Sequence, residues 1–314
     1  MDPAYRRGIF LVLVSALGFG GMAIFAKLAY DDGANTATLL TLRFVSASLI
    51  LWVIVAARRR PRPTRRVVIG GAGLGFFGYS LQAGGYFAAL NHLDASTTAL
   101  VLYTYPAIVF VGAVVLGREP WSGVKLGALG IAAVGLALVL AGGASGSLNT
   151  TGVLLACGAA IAYSTYILVA DTVVAGADPF WLTAIVATGA AISVGGYTLI
   201  AGDLDLGFQA GGWAALAGLV LISTILAITT FFLGLELVGP STASIVSAIE
   251  PAATVALAAA VFGETLSGVQ LLGGALVLSA VVLLQLGVGR VQPGAAPDHA
   301  APAPTAREVP ERAS

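Results

Sequence analysis

LNHLDASTTALVLYTYPAIVFVGAVVLGREPWSGVKL, residues 90–126, returns 145 residues later as LELVGPSTASIVSAIEPAATVALAAAVFGETLSGVQL, residues 235–271. Without a gap, Leu90, Ser96, Thr97, Val101, Pro106, Ala107, Ala113, Glu119, Ser122, Gly123, Val124 and Leu126 meet the same residue types at Leu235, Ser241, Thr242, Val246, Pro251, Ala252, Ala258, Glu264, Ser267, Gly268, Val269 and Leu271. A chain rich in Gly, Ala, Leu and Val gives some matches by chance. Proline, glutamate and Ser-Gly are not filler in this composition, so their agreement marks an internal duplication.

Each copy runs through apolar sequence, and the composition says where that sequence resides. Of the 314 residues 58% are hydrophobic and only 10% are Asp, Glu, Lys or Arg, against roughly 25% charged in a soluble domain. Thirty charges cannot coat a water-facing surface of this size, and mean hydropathy is +0.95. Fifteen basic residues balance fifteen acidic ones, which argues against nucleic acid as a partner, since phosphate recognition needs a basic surface. Cys157 is the sole cysteine, so there is no intrachain disulfide and no cysteine cluster for a metal. The class left is an all-α polytopic membrane protein, with the lipid bilayer as its surroundings.

Stretches of about 20 apolar residues, long enough to cross a bilayer, read as ten transmembrane helices: 8–29, 36–57, 67–90, 95–116, 122–141, 152–171, 179–200, 212–235, 241–262 and 266–287. The runs are continuous rather than alternating, which excludes a barrel. Gly71/Gly75 and Gly123/Gly127 are small-xxx-small pairs that would let helices approach. With the N-terminus in the cytoplasm, thirteen of the fifteen basic residues fall on the inner side, Arg58 to Arg66 foremost. The opposite loops carry Asp31, Asp32, Asp94, Asp203, Asp205 and Glu264 but no Lys or Arg, as the positive-inside rule requires. The first span reads as an anchor, not a cleaved signal, because its apolar stretch exceeds a signal's. The Pro/Ala-rich residues 290–314 read as a disordered cytoplasmic tail.

The repeat divides the spans into two five-helix halves, 8–141 and 152–287. Five is odd, so the second half enters the membrane the other way up. Inverted repeats of this kind are the architecture of secondary transporters, with substrate near the midplane between them.

At these residues the chain resembles the EamA family of the drug/metabolite transporter superfamily. The resemblance rests on the stretches from Ala88 and Leu233. Both show an Ala/Ser/Thr-rich start, a mid-helix proline, a turn at Gly117-Arg118-Glu119 or Gly263-Glu264, and a Gly-rich closing helix. It implies a ten-helix inner-membrane transporter of a small-molecule substrate, often an exporter, without naming that substrate.

Arg43 and Glu250 are the charges deepest in apolar spans, where an ionisable group normally faces a cavity or a partner. Arg43 could hold a substrate carboxylate through a bidentate pair; it could equally cap an acidic residue. Glu250 precedes Pro251, whose ring frees the Ser247 carbonyl and can kink the helix. Ser244, Ser247, Glu250 and Thr254 share one helical face. Removal from water disfavours a carboxylate's charge, so Glu250 is the proton-coupling candidate. Tyr79, Gln82 and Tyr86 share a face of span 3, and Tyr163 and Tyr166 a face of span 6. Tyr103 lies just before Pro106, the kink of span 4, and Tyr105 is the repeat equivalent of Glu250. Together these rings could line a cavity with a few polar handles, or they could pack helices. Lys27 can snorkel to the interface.

Gly73-Leu74-Gly75-Phe76-Phe77-Gly78 matches a dinucleotide pattern, but inside a span with no strand before it the reading is helix packing. There is no Walker A motif, no H-E-x-x-H and no G-x-S-x-G. No cofactor, no metal and no enzymatic activity are expected. The function read here is secondary transport, outward, of small organic metabolites such as amino acids by a monomer or homodimer. The alternatives are a passive channel and an intramembrane lipid-modifying enzyme.

Overall fold

Lipid offers no hydrogen bonds, so an apolar chain that crosses it must satisfy its backbone internally. The computed structural model, which describes residues 2–58, 61–118, 123–142, 149–173 and 176–288, does so with helices alone; no strand occurs among those residues. Among the described residues nine helices are long and apolar enough to cross a membrane: α1 Pro3–Asp31, α2 Thr36–Arg58, α3 Arg65–Ala89, α4 Ala95–Val115, α5 Gly123–Gly142, α6 Thr150–Val173, α7 Pro179–Ala201, α8 Ala210–Gly239 and α9 Ile245–Phe262. The tenth expected span is the helix α10, Gly268–Val288, whose described apolar stretch, Gly268–Leu284, is shorter. The tail expected at 290–314 lies outside the described residues.

Local chemistry sets the helix ends. Asp2 caps α1 by accepting from the Ala4 amide at 3.1 Å, and Asp178 caps α7 ahead of Pro179, which is well placed at a first helical position. Gly239, at φ 77°, turns α8 into α9, a backbone that a side chain would strain.

The helices are interrupted at matching places in the two halves. Each third span carries a π-turn, Leu74–Tyr79 in α3 and Leu221–Leu226 in α8. A hydroxyl one turn on takes up a carbonyl in each: Ser80 Oγ donates to Gly75 O and Thr224 Oγ1 to Leu219 O, both at 2.9 Å. Each fourth span breaks ahead of its proline. In α4 the break is Tyr103-Thr104, and in α9 it is Ala248-Ile249. The Thr104 amide reaches back to Val101 O, and 145 residues later the Ile249 amide reaches Val246 O. Pro106 and Pro251 thus sit second in new helical segments, where a missing N–H costs no bond.

Packing follows the same rule of correspondence. Helix α1 lies against α8 and α3 against α6, while α2 pairs with α7 and α5 with α10. Glycines set the closest approaches. A Cβ on Gly273 of α10 would stand 2.6 Å from Gly135 O of α5, and one on Gly135 would stand 2.8 Å from Gly273 O. Gly71 and Gly75 face α7, where a Cβ on Gly75 would overlap the Val186 carbonyl. By contrast Gly123 and Gly127 face open space; the tight contact of α5 is made farther along, at Gly135. Gly75→Val should therefore destabilise by ~3 kcal/mol or more, since backbone rather than a flexible side chain stands in the way. Its yield in membranes and its melting temperature in detergent should both fall well below those of Gly127→Val.

Leu49, Val53, Phe77, Leu81, Leu154 and Leu199 project outward, each more than half exposed. An apolar girdle of this extent belongs in acyl chains. The chain is a multi-pass membrane protein.

Candidate functional site

Arg43 of α2 is 1% exposed, which a guanidinium tolerates only with donors satisfied and aromatic faces near. Its Nε donates to Thr224 Oγ1 at 3.1 Å and its Nη2 to the Tyr79 hydroxyl at 3.5 Å. The rings of Phe44 and Phe87 lie 5.4 and 5.2 Å from its Cζ. Thr224 stands in the π-turn of α8 and Tyr79 closes the π-turn of α3. Both irregularities thus converge on this one cation, in keeping with the concentration of π-turns at functional sites. Among the described residues no carboxylate pairs with Arg43.

Two neighbouring cavities open beside it. The smaller, about 140 Å³, is lined by Arg43, Tyr79, Gln82, Tyr86, Tyr103, Glu250 and Thr254, with Phe19 and Phe87. The larger, about 380 Å³, is lined by Tyr79, Tyr103, Tyr105, Tyr163, Tyr166, Ser247 and Glu250, with Phe44, Phe231 and Phe232. Leu182 to Ala187 at the start of α7 and Phe232 late in α8 place the larger one in the half that carries Arg58 and Arg66. Every sequence-expected site residue lines one cavity or both. Tyr79, Tyr103, Tyr163 and Glu250 belong to both; Ser247 and Tyr166 reach only the larger, and Arg43, Gln82 and Tyr86 only the smaller. The side chain of Ser244 lies outside the described residues.

Glu250 opens the second segment of α9, so the break before Pro251 is what turns it to the cavity. The Tyr103 side chain lies beside it on the wall of both cavities. Tyr105, its repeat equivalent and one of the rings read from the sequence as a possible cavity wall, lines both cavities. Its ring sits 4.6 Å from that of Tyr163, which stacks on Tyr166 at 6.2 Å. Ser164 Oγ donates to the Tyr105 carbonyl at 3.1 Å, holding the α4 break against α6. The place directly before the fourth-span proline was the signal for Tyr105, since it is where Glu250 stands. No sequence pattern marks Thr224, which reaches Arg43 from 181 residues away. Among the described residues no three His, Cys, Asp or Glu side chains gather as metal ligands.

The charge network at the far end of the bundle differs from the sequence reading. Lys27 does more than reach for the interface: its Nζ lies 3.2 Å from Glu264 Oε1. Glu264 also accepts from the Ala95 and Ser96 amides at 2.9 and 3.1 Å and from Ser96 Oγ at 2.8 Å. Burial works against its charge, but the Ser96 and Ala95 amides, the Ser96 hydroxyl and Lys27 outweigh it and hold the carboxyl below the usual range. A carboxyl depressed by folding stabilises above its unfolded value of about 4.3 and loses that contribution as pH falls through the lower folded value. The melting-temperature gap between the parent and Glu264→Gln should thus be full from pH 7 to 5 and close under stronger acid. A gap independent of pH would show that the charge is not what matters.

Comparison with known proteins follows the same lines. The model of the EamA-like transporter family matches residues 6–141 and again 150–286. An uncharacterized transporter of Archaeoglobus fulgidus is 26% identical over 88% of this chain and 96% of its own length. YcbK, an uncharacterized transporter of Bacillus subtilis, is 24% identical over 85% and 88%. A protein crystal structure is similar with a TM-score of 0.61, over 91% of this chain and 98% of that one; at 19% identity this is a likeness of fold.

Proposed function

The chain belongs to the EamA-like transporter family, and from that premise we propose that it is a secondary transporter. It exports small organic metabolites such as amino acids across the inner membrane by alternating access, coupled to protons through Glu250. The observation that carries this reading is the pairing of opposite ionisable groups in one small cavity. Arg43 and Glu250 both line it, and among the described residues neither has an ion-pair partner of its own. A zwitterion supplies what each lacks: a carboxylate for the planar fork of Arg43 and an ammonium for Glu250. The side chain then extends into the larger, tyrosine-lined space, whose volume lies within the range of small-molecule sites. A proton and an ammonium compete for Glu250, and that competition is the coupling.

Three further features support the arrangement. Five spans per half, an odd number, support an inverted second half. The breaks and π-turns recur in both halves, as expected of repeats that exchange conformations. The distribution of basic residues supports a cytoplasmic side for Arg58, Arg66 and the larger cavity, where an exporter loads. In proteoliposomes the purified protein should give saturable flux accelerated by substrate on the opposite face, for amino acids that raise its melting temperature. Flux that rises linearly with concentration and ignores the opposite face would mean a channel instead.

A further inference from the structure

The two ends of the bundle carry ion pairs that correspond through the repeat. At one end Lys27 of α1 meets Glu264 in the turn between α9 and α10. At the other, Asp171 of α6 meets Arg118 in the turn between α4 and α5, at 3.7 Å. Lys27 and Asp171 stand 144 residues apart, and Arg118 is 145 residues before Gly263, the neighbour of Glu264. Each pair therefore joins the first span of one half to the fourth-to-fifth turn of the other, with the signs reversed. Their condition differs sharply. The first pair is short and sheltered, its side chains 20% and 9% exposed, and Glu264 also ties down the first two amides of α4. The second pair is long and open, at 32% and 75%. The larger cavity lies in the half with the loose pair, and the smaller in the half with the tight one.

We propose that these are reciprocal latches: Lys27–Glu264 closes the non-arginine end of the pathway in the conformation described here, and Arg118–Asp171 closes the arginine end when the halves exchange. Opening the first end requires α1 and the start of α4 to separate from the α9–α10 turn. That separation exposes a charge pair and two amides that only Glu264 now satisfies. Closure of the second end draws α6 toward the α4–α5 turn and shortens its pair. The inference rests on alternating access as proposed above, but it concerns which side chains bias the two states, not what is carried.

The test reads conformation directly. In a Cys157→Ser background, single cysteines are placed in the smaller cavity (Ala99→Cys) and the larger one (Thr183→Cys). A membrane-impermeant maleimide is then applied to either face of oriented proteoliposomes. Glu264→Gln should raise labelling of the Ala99 site from the latched face by about tenfold, as expected for loss of charge-assisted hydrogen bonds, and slow labelling of the Thr183 site from the other face. Lys27→Met, which leaves the α4 cap in place, should move both rates the same way but less. Asp171→Asn should move them oppositely. Unchanged labelling in both Glu264→Gln and Lys27→Met, with melting temperatures near the parent's, overturns the latches while leaving transport intact. Should Glu264→Gln not fold, Lys27→Met alone decides. Loss of saturable flux in the parent itself would instead strike the transport reading.

Discussion

Arg43→Gln should weaken substrate binding by about thirtyfold or more while moving the melting temperature only modestly. Losing one side of a buried, hydrogen-bonded charge pair costs about 2–5 kcal/mol, and each 1.4 kcal/mol is tenfold. Gln keeps a donor for Thr224 and enough length to fill the space between the Phe44 and Phe87 rings, so the fold keeps most of its packing. Arg43→Lys is the sharper companion. It retains the charge but not the planar fork, so its single nitrogen cannot hold a carboxylate through two parallel bonds. Its affinity should fall between those of the parent and Arg43→Gln. Isothermal titration of purified protein with the amino acids that raise its melting temperature reads the affinities, and the melting curves read the fold. Equal affinity in all three proteins would remove Arg43 from the binding site and leave it a helix-bracing cation.

Glu250→Gln should abolish transport driven by an imposed pH gradient while leaving exchange of labelled for unlabelled substrate measurable. The amide is nearly isosteric, so the Tyr103 contact and the α9 break before Pro251 persist. The capacity to take and release a proton does not. Exchange needs only that the loaded carrier turn over, whereas gradient-driven movement needs the empty or protonated carrier to return. The effect on gradient-driven flux is therefore near-complete loss, and on exchange a reduction through weaker ammonium binding, about tenfold for one charge-assisted hydrogen bond. Gradient-driven flux at the parent's rate in Glu250→Gln would end the proton-coupling proposal. Tyr103→Phe should give a milder version of the same phenotype, because it removes only the hydroxyl of a side chain that lies beside Glu250.

The features readable in the sequence were those written as local pattern. Apolar length gives the spans, and the 145-residue echo places Glu250 and Tyr105 at equivalent breaks, because proline and its neighbours act within one helical turn. The shared face of Tyr79, Gln82 and Tyr86 follows from helical periodicity, and all three reach the smaller cavity. The π-turns were not readable. Leu74–Tyr79 and Leu221–Leu226 share little sequence, and a π-turn arises where packing and a nearby hydroxyl make an extra residue tolerable. Nor was the partnership of Arg43 with Thr224 and Tyr79, or of Lys27 with Glu264, since each joins residues far apart in the chain through tertiary contact. Gly123/Gly127 shows the limit of spacing alone. The pair has the form of a packing motif but faces open space, because the helix's tight contact formed at Gly135.

The pairing of α2 with α7 and of α5 with α10 has a consequence for the origin of the molecule. In both contacts a helix meets its own counterpart, so the surface on one half is complementary to the equivalent surface on the other, which the inverted-repeat reading proposed above makes the same surface turned over. A polypeptide of five spans bearing such a surface would need no second gene to find a partner: two copies inserted in opposite directions would suffice. Fusion of two such copies would fix that stoichiometry and free each to diverge, leaving Glu250 on one side of the cavity where Tyr105 stands on the other. Expressed as two separate polypeptides divided between Gly142 and Thr150, the halves should still assemble.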